Sequence, residues 1–366
     1  MKIDYRKIGL KRIDTYIIAK FLGTFFFSIV LILSIAIVFD VTEKLDKFYD
    51  NNAPLSAIVF DYYLNFVPFY MNLFTPLFTF ISVIFFTSKM AGNTEIVAIL
   101  SSGVSFQRMM VPYAVSAAII ALISFGLGGF IIPHGTKKML EFENQYVKSF
   151  KKENANSLQM EVEKGVILYI DRYHVEKNEG NRLSLEKFEG KHLVSRLTAE
   201  KVSWDSDYNW KLEKYLQRDF DGMKESITQG ESLDTVIRVQ PSEFFITSQE
   251  APEMTNTQLR KYLDKQKERG IGNIQAFADV YYKRYSMPLA AFIMTLMGVS
   301  LSSRKVRGGM GLHLGIGLAL SALYVLFSTI STTFSVNGLM SPLAAVWLPN
   351  LVFLAVGIYL YRTAPK

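Results

Sequence analysis

The chain has 366 residues, half of them hydrophobic, with 40 Lys/Arg against 33 Asp/Glu and a formal charge of +7. That balance excludes a disordered chain, which needs low hydrophobicity and high charge, and the absence of cysteine excludes disulfides without arguing against export. The charges are segregated: Asp and Glu are absent from 96–140 and 280–366, and residues 308–361 hold no Asp, Glu, Lys or Arg.

Six uncharged stretches are long enough to span a bilayer as helices. The first, at about 17–39, follows Lys2, Arg6, Lys7, Lys11, Arg12 and Lys20. It lacks a small-residue cleavage site and reads as a retained anchor. Lys44 and Lys47 follow it, among Asp40, Glu43, Asp46 and Asp50. The second, at about 62–87, carries Pro68, Pro76, Asn65 and Asn72, as in a kinked helix facing other helices.

The next loop runs from Lys89 to Arg108. Asn93 or Thr94 caps a short helix over about 94–103, with Glu95 at its positive end, an apolar face of Ile96, Ile99 and Leu100, and Gly103 as its stop. Two readings of this helix stand: an interfacial helix, or the element through which a separate ATPase moves a permease. The third span, at about 110–132, is Gly-rich.

Residues 134–270 change character, with 23 Lys/Arg against 24 Asp/Glu. Strand patterns at 165–171, 182–188, 192–199 and 210–216 alternate with turn signals, which predicts an inserted all-β domain of sandwich, jelly-roll or barrel type. A helix follows at about 257–269, closed by Gly270, and an amphipathic segment at about 273–284 leads on. Spans four to six are placed at about 285–303, 312–334 and 343–361, with a turn at 335–342. Gly311 and Gly315 form a small-xxx-small pair suited to close helix approach. The expected organisation is a transmembrane half at 1–133, the β domain at 134–270 and a second transmembrane half at 271–366.

Thirteen Lys/Arg fall on one side of this arrangement, including Lys89, Arg108, Arg304, Lys305, Arg307, Arg362 and Lys366, against Lys44 and Lys47 in the opposite short loops. Both termini are therefore expected in the cytoplasm and the β domain in the periplasm. The basic excess belongs to the cytoplasmic membrane face, beside anionic lipid, and gives no sign of a nucleic-acid partner. There is no G-x-x-x-x-G-K-[ST], H-E-x-x-H or G-x-S-x-G motif, and His134, His174, His192 and His313 are scattered. No charge falls mid-span, which disfavours an ion-coupled transporter. The chain reads as a non-enzyme, with no catalytic residue, metal or cofactor of its own.

The loop Asn93–Gly103 is similar to the coupling-helix pattern of the LptF/LptG lipopolysaccharide export permeases. Phe130–Gly135 resembles that family's exit from span three, Leu259–Gly270 with Tyr281–Pro288 its return into span four, and Pro342–Asn350 its final helix. The segment Val41–Lys47 brings the chain nearer the LptG type than the LptF type. The resemblance implies a permease subunit of an ATP-binding-cassette exporter in the bacterial inner membrane, paired with a second LptF/LptG-type permease. A dimer of the ATPase LptB, holding the ATP and Mg, would dock on a coupling site of Glu95, Ile96, Ile99, Leu100 and Gly103. Lipopolysaccharide would leave the inner membrane and pass through the β-jelly-roll domains to a periplasmic bridge beginning with LptC. On that reading Lys44 and Lys47 are candidates for lipid phosphate contact. Phe25, Ile29 and Ile32 of span one and Leu320, Tyr324 and Phe327 of span five are candidates for the cavity or lateral gate, where ordinary helix packing explains them equally well. The alternative function is a membrane scaffold that recruits envelope partners through the β domain without transport.

Overall fold

A computed structural model describes residues 11–147, 154–174, 177–222, 224–245, 248–268, 274–304 and 309–364. Lys2, Arg6, Lys7, Lys305, Arg307, Lys366 and the expected helix stop Gly270 lie outside the described residues. The chain divides into two compact units: residues 1–147, 252–257 and 275–366 form a helical unit, and residues 148–251 and 258–274 form a β unit.

In the helical unit, α1 is Arg12–Asp50, α2 Leu64–Gly92, α3 Glu95–Ser101, α4 Phe106–Gly126 and α5 Ile132–Phe142. The helix α6, Asn256–Glu268, lies mostly in the β unit, and α7 (Gln275–Ser302), α8 (Gly309–Val336) and α9 (Pro342–Thr363) complete the helical unit. All six expected spans are present as helical runs long and apolar enough to cross a membrane. Several extend beyond their expected limits. At 39 residues α1 is about 58 Å long, nearly twice the hydrocarbon thickness. The third run continues from α4 through a π turn at Leu127–Ile131 into α5, so the expected boundary at 134 falls inside a helix. Pro133 follows directly on the π turn, where the hydrogen-bond ladder of the run is already offset, and Met139 and Phe142 give α5 a buried face.

α2 and α7 form the centre of the unit, with α1 and α4 packed to one side and α8 and α9 to the other. The α2–α7 approach is close because Gly298 offers no side chain: a Cβ there would stand 2.7 Å from Val83 Cγ1. The asparagines of α2 turn inward as expected. Asn72 Oδ1 accepts from Ser124 Oγ of α4 at 2.6 Å, and Asn65 faces Gly135 of α5, where a Cβ would stand 2.9 Å from Asn65 Oδ1.

The β unit is one antiparallel sheet in sequential order: β1 Asn154–Glu163, β2 Val166–His174, β3 Glu179–Glu189, β4 His192–Ser206, β5 Asn209–Asp221 and β6 Lys224–Val236. All four expected strands are there. The Greek-key crossings of a jelly roll are absent among the described strands; the strands run in sequential order, and their inward face changes over along one transverse row, a crease. Strand side chains alternate with a period of two, yet the buried positions step by three once in each of four strands: Ile170 to Tyr173, Gly180 to Leu183, Ala199 to Val202 and, less completely, Leu212 to Tyr215. The steps fall on one transverse row, Ser157–Asp171–Arg182–Glu200–Lys214–Glu231, whose members lie between successive pairings of neighbouring strands.

Every second member of that row is left-handed, with φ of 52° at Ser157, 53° at Arg182 and 51° at Lys214. Each interrupts the pleat without adding a residue, since the pairings on either side of the row keep one register. Two outward residues in succession at each step, such as Asn181 and Arg182, leave the inner face to a core of Leu158, Leu168, Ile170, Leu197, Trp210 and Leu212. Gly180 opposite Tyr173 and Gly230 opposite Tyr215 leave room for the aromatic rings beside the crease. On the outer side the row alternates in charge: Arg182 Nη1 lies 3.8 Å from Asp171, and Lys214 Nζ 2.9 Å from Glu200. The Glu200 hydrogen bond raises the Lys214 pKa above its ordinary value.

Candidate functional site

The connection between α2 and α4 is built around α3, a helix of seven residues set between two reversals of the backbone. Thr94 enters it with φ 62° and Gly103 leaves it with φ 84°. Glycine adopts that conformation freely, whereas in a β-branched threonine it costs about 1–2 kcal/mol. The expected side-chain cap is not made; Thr94 Oγ1 donates back to the Asn93 carbonyl at 2.6 Å. Asn93 instead serves Glu95, donating to its Oε1 at 3.0 Å, while Tyr16 Oη of α1 donates to Oε2 at 3.3 Å.

The face expected to meet a partner is turned the other way. Ile96 and Ile99 are 1% and 9% exposed and belong to the core formed with Ile17, Met90, Phe106 and Met109, with Leu100 packed against it. An apolar helix face seals first against the apolar bundle beside it, so these residues anchor α3 within its own chain. The outward face carries Val97, 59% exposed, with Ala98 and Ser101. Behind the anchor lies a cavity of about 30 Å³ lined by Lys11, Ile13, Asp14, Ile17, Ile99, Val104, Arg108 and Met109, with room for a water and no larger ligand.

At the opposite end of α1 a second polar cluster forms. Lys44 Nζ lies 2.9 Å from Asp40 and 3.2 Å from Glu143, and it also hydrogen-bonds Tyr62 Oη. Tyr63 Oη donates to Asp40 Oδ2 at 3.0 Å. The π turn at Ile58–Tyr63 advances less than 100° per residue, which lets two consecutive tyrosines address one carboxylate. Lys44 is thus engaged by two carboxylates of its own chain, while Lys47 is exposed. His313 is buried, with Nε2 at 3.0 Å from the Arg304 carbonyl, which fits an interfacial fixture.

The expected cavity residues also pack inward. Phe25 and Ile29 are buried in the core of α1, α2 and α4, with Ile32 against it. Tyr324 is buried with its hydroxyl donating to Asn350 Oδ1 at 2.9 Å, and Leu320 and Phe327 pack beside it. All six pack within the helical unit of this chain. The uncovered stripes are Phe27, Val30, Leu31, Val38 and Phe39 on α1 and Leu312, Leu323, Leu326, Ile330 and Phe334 on α8. Gly311 and Gly315 lie on the uncovered side of α8, and a Cβ at either would meet nothing within 4 Å, so the close approach they permit is not made within this chain. Among the described residues no His, Asp and Glu cluster is arranged to hold a metal.

Residues 15–363 match the model of the family described as lipopolysaccharide export system permease LptF/LptG. The chain belongs to that family. It is a multi-pass inner-membrane permease of the lipopolysaccharide export system, with a β domain inserted between two sets of three helices. A search of curated proteins finds no match to the permease.

Proposed function

We propose that this permease is the membrane-embedded subunit of an ATP-binding-cassette exporter, of the LptG type. It pairs with a second LptF/LptG-type permease, takes lipopolysaccharide from the inner membrane and passes it by way of its β domain to a periplasmic bridge beginning with LptC. Both termini and α3 face the cytoplasm, where a dimer of the ATPase LptB, carrying the ATP and Mg, docks on α3. The chain itself binds no cofactor.

The observation that supports this reading is α3: a short helix pinned from behind by Ile96 and Ile99, reversed at both ends, presenting Val97 outward. Such a helix moves as a unit when pushed, because its inner face is sealed to the bundle core. The uncovered apolar stripes of α1 and α8 are suited to lipid and to a second permease. Lys44 and Lys47 remain the phosphate contacts of this reading, Lys44 by exchanging the carboxylates of Asp40 and Glu143 for an incoming lipid phosphate.

Val97→Glu tests the docking. Because Val97 is largely exposed, the variant permease should fold and melt as the wild type does, yet lose co-purification with the ATPase. Retained co-purification and ATP hydrolysis would overturn the role given to α3. Normal surface lipopolysaccharide after depletion of the permease would support the scaffold alternative instead.

A further inference from the structure

The first turn of α1 grips the coupling segment at two points. At the start of α3, Tyr16 bonds Glu95. Beyond its end, in the first turn of α4, Arg108 donates Nη1 to Asp14 Oδ1 at 2.8 Å and Nη2 to Asp14 Oδ2 at 2.5 Å. Asp14 Oδ2 also receives the Lys11 backbone N–H at 2.8 Å. The carboxylate is 1% exposed, and Arg108 covers it. Packing alone does not call for this arrangement, since an apolar pair of the same size fills such a site at no electrostatic cost. What a two-pronged guanidinium–carboxylate bond adds is a fixed register between the two elements that carry it.

The elements concerned are the ones that would have to move together. The α3 helix continues α2 through the left-handed turn at Thr94, so a push on α3 reaches α2 along the chain. No covalent route of comparable length leads to α1, whose nearest chain connection is at its far end, beyond Asp50. The helix α1 is also sparsely held: 22% of its apolar window is buried, against 67% for α7. The cavity between Ile13, Ile17 and Ile99 leaves the apolar contact between α1 and α3 incomplete at this level. The polar links at Tyr16 and Asp14 therefore carry a larger share of the mechanical connection.

We propose that Asp14 is a positioning residue that joins α1 to the coupling segment through Arg108, so that displacement of α3 is delivered to α1. The proposal rests on the reading of α3 as the ATPase docking helix.

The test uses the purified exporter complex in vesicles containing lipopolysaccharide, with Asp14→Arg, Arg108→Asp, the double charge swap and Asp14→Asn. ATP hydrolysis, lipopolysaccharide release per ATP and thermal stability are measured together. In the single reversals ATP hydrolysis should stay within about twofold while release per ATP falls about tenfold, a typical magnitude for coupling between sites. The double swap should recover release per ATP, which a merely structural loss would not do. If hydrolysis and release fall in step, or if release per ATP is unchanged, the proposal is overturned. Where the reversals fail to fold, Asp14→Asn decides: it keeps the shape and removes the charge, and unimpaired coupling in it would sink the idea. A wild-type preparation that neither retains the ATPase nor releases lipid would instead overturn the exporter reading itself.

Discussion

Tyr173 brings its hydroxyl into the β core with no hydrogen-bond partner among the described residues, packed edge-on to Trp210 and Phe244. Burial raises its pKa above the ordinary phenol value. A folded-state pKa raised above the unfolded one leaves stability intact below the unfolded value, near pH 10, and erodes it as pH rises beyond. Tyr173→Phe should therefore raise the melting stability of the full chain at neutral pH by about 1 kcal/mol and lessen its alkaline loss, as read by thermal melts at pH 8 and above 10. An unchanged or lower melting temperature would show that the hydroxyl is satisfied. At this scale the sequence was only partly legible. Glu95 stands out as a lone charge beside an apolar run, and Lys44 sits in a cluster of acids that includes its partner Asp40, but Tyr16 and Glu143 come from positions distant in the chain. Asp14 gave no local signal at all, because its burial depends on an arginine 94 residues away.

The elements differ in how well pattern revealed them. The six membrane helices follow from long uncharged runs, since only a closed backbone hydrogen-bond pattern survives in lipid. Which face of α1 or α8 turns inward did not follow, because a helix apolar all round carries no stripe to read. That is why Phe25, Ile29, Leu320, Tyr324 and Phe327 came out on the packed side. Strands β1 and β6 were missed because Asn154–Glu163 and Lys224–Val236 are largely polar, and β6 is exposed along nearly its whole length. The crease was missed because its left-handed residues are Ser, Arg and Lys, where glycine or asparagine would have signalled the conformation. It makes a prediction opposite to ordinary strand preference. Arg182→Val, favourable in a flat strand, should destabilise the β unit by about 1–2 kcal/mol, while Arg182→Gly should be neutral or slightly stabilising. Thermal melts of the two variants, ranked against wild type, check it; equal stability of Val and Gly would refute the crease.

For the molecule as a whole, the glycines of the helical unit divide by the surface they serve. Gly298 is filled from within by Val83, so Gly298→Leu should force α2 and α7 apart and cost about 1–3 kcal/mol or more in melting stability. Gly311 and Gly315 face open space, so Gly311→Leu and Gly315→Leu should leave the melting of the isolated chain unchanged and weaken its pairing with a second permease. Crosslinking of tagged pairs in membranes reads the difference; unaltered pairing would mean that this side of α8 meets lipid. The overall division into a membrane body and a β insert was legible from charge segregation alone, because lipid and water impose such different compositions. The compact helical unit runs fourteen residues past the expected end at 133, to Val147, since α5 continues the third span on amphipathic packing that hydropathy does not register.

The crease also works as a lock on strand identity. Strands β2 to β5 change their inward face at the same row, so the two halves of the sheet are out of phase with each other by one residue. A strand arriving at the β1 or β6 edge with regular alternation can satisfy one half only; beyond the row it would turn polar side chains inward and apolar ones to water. A strand that lengthens this sheet must carry its own phase change at the matching position, and the left-handed residues on alternate strands at Ser157, Arg182 and Lys214 define where that position is. An open β edge, ordinarily an invitation to any extended chain, is in this way keyed to partners of one rhythm.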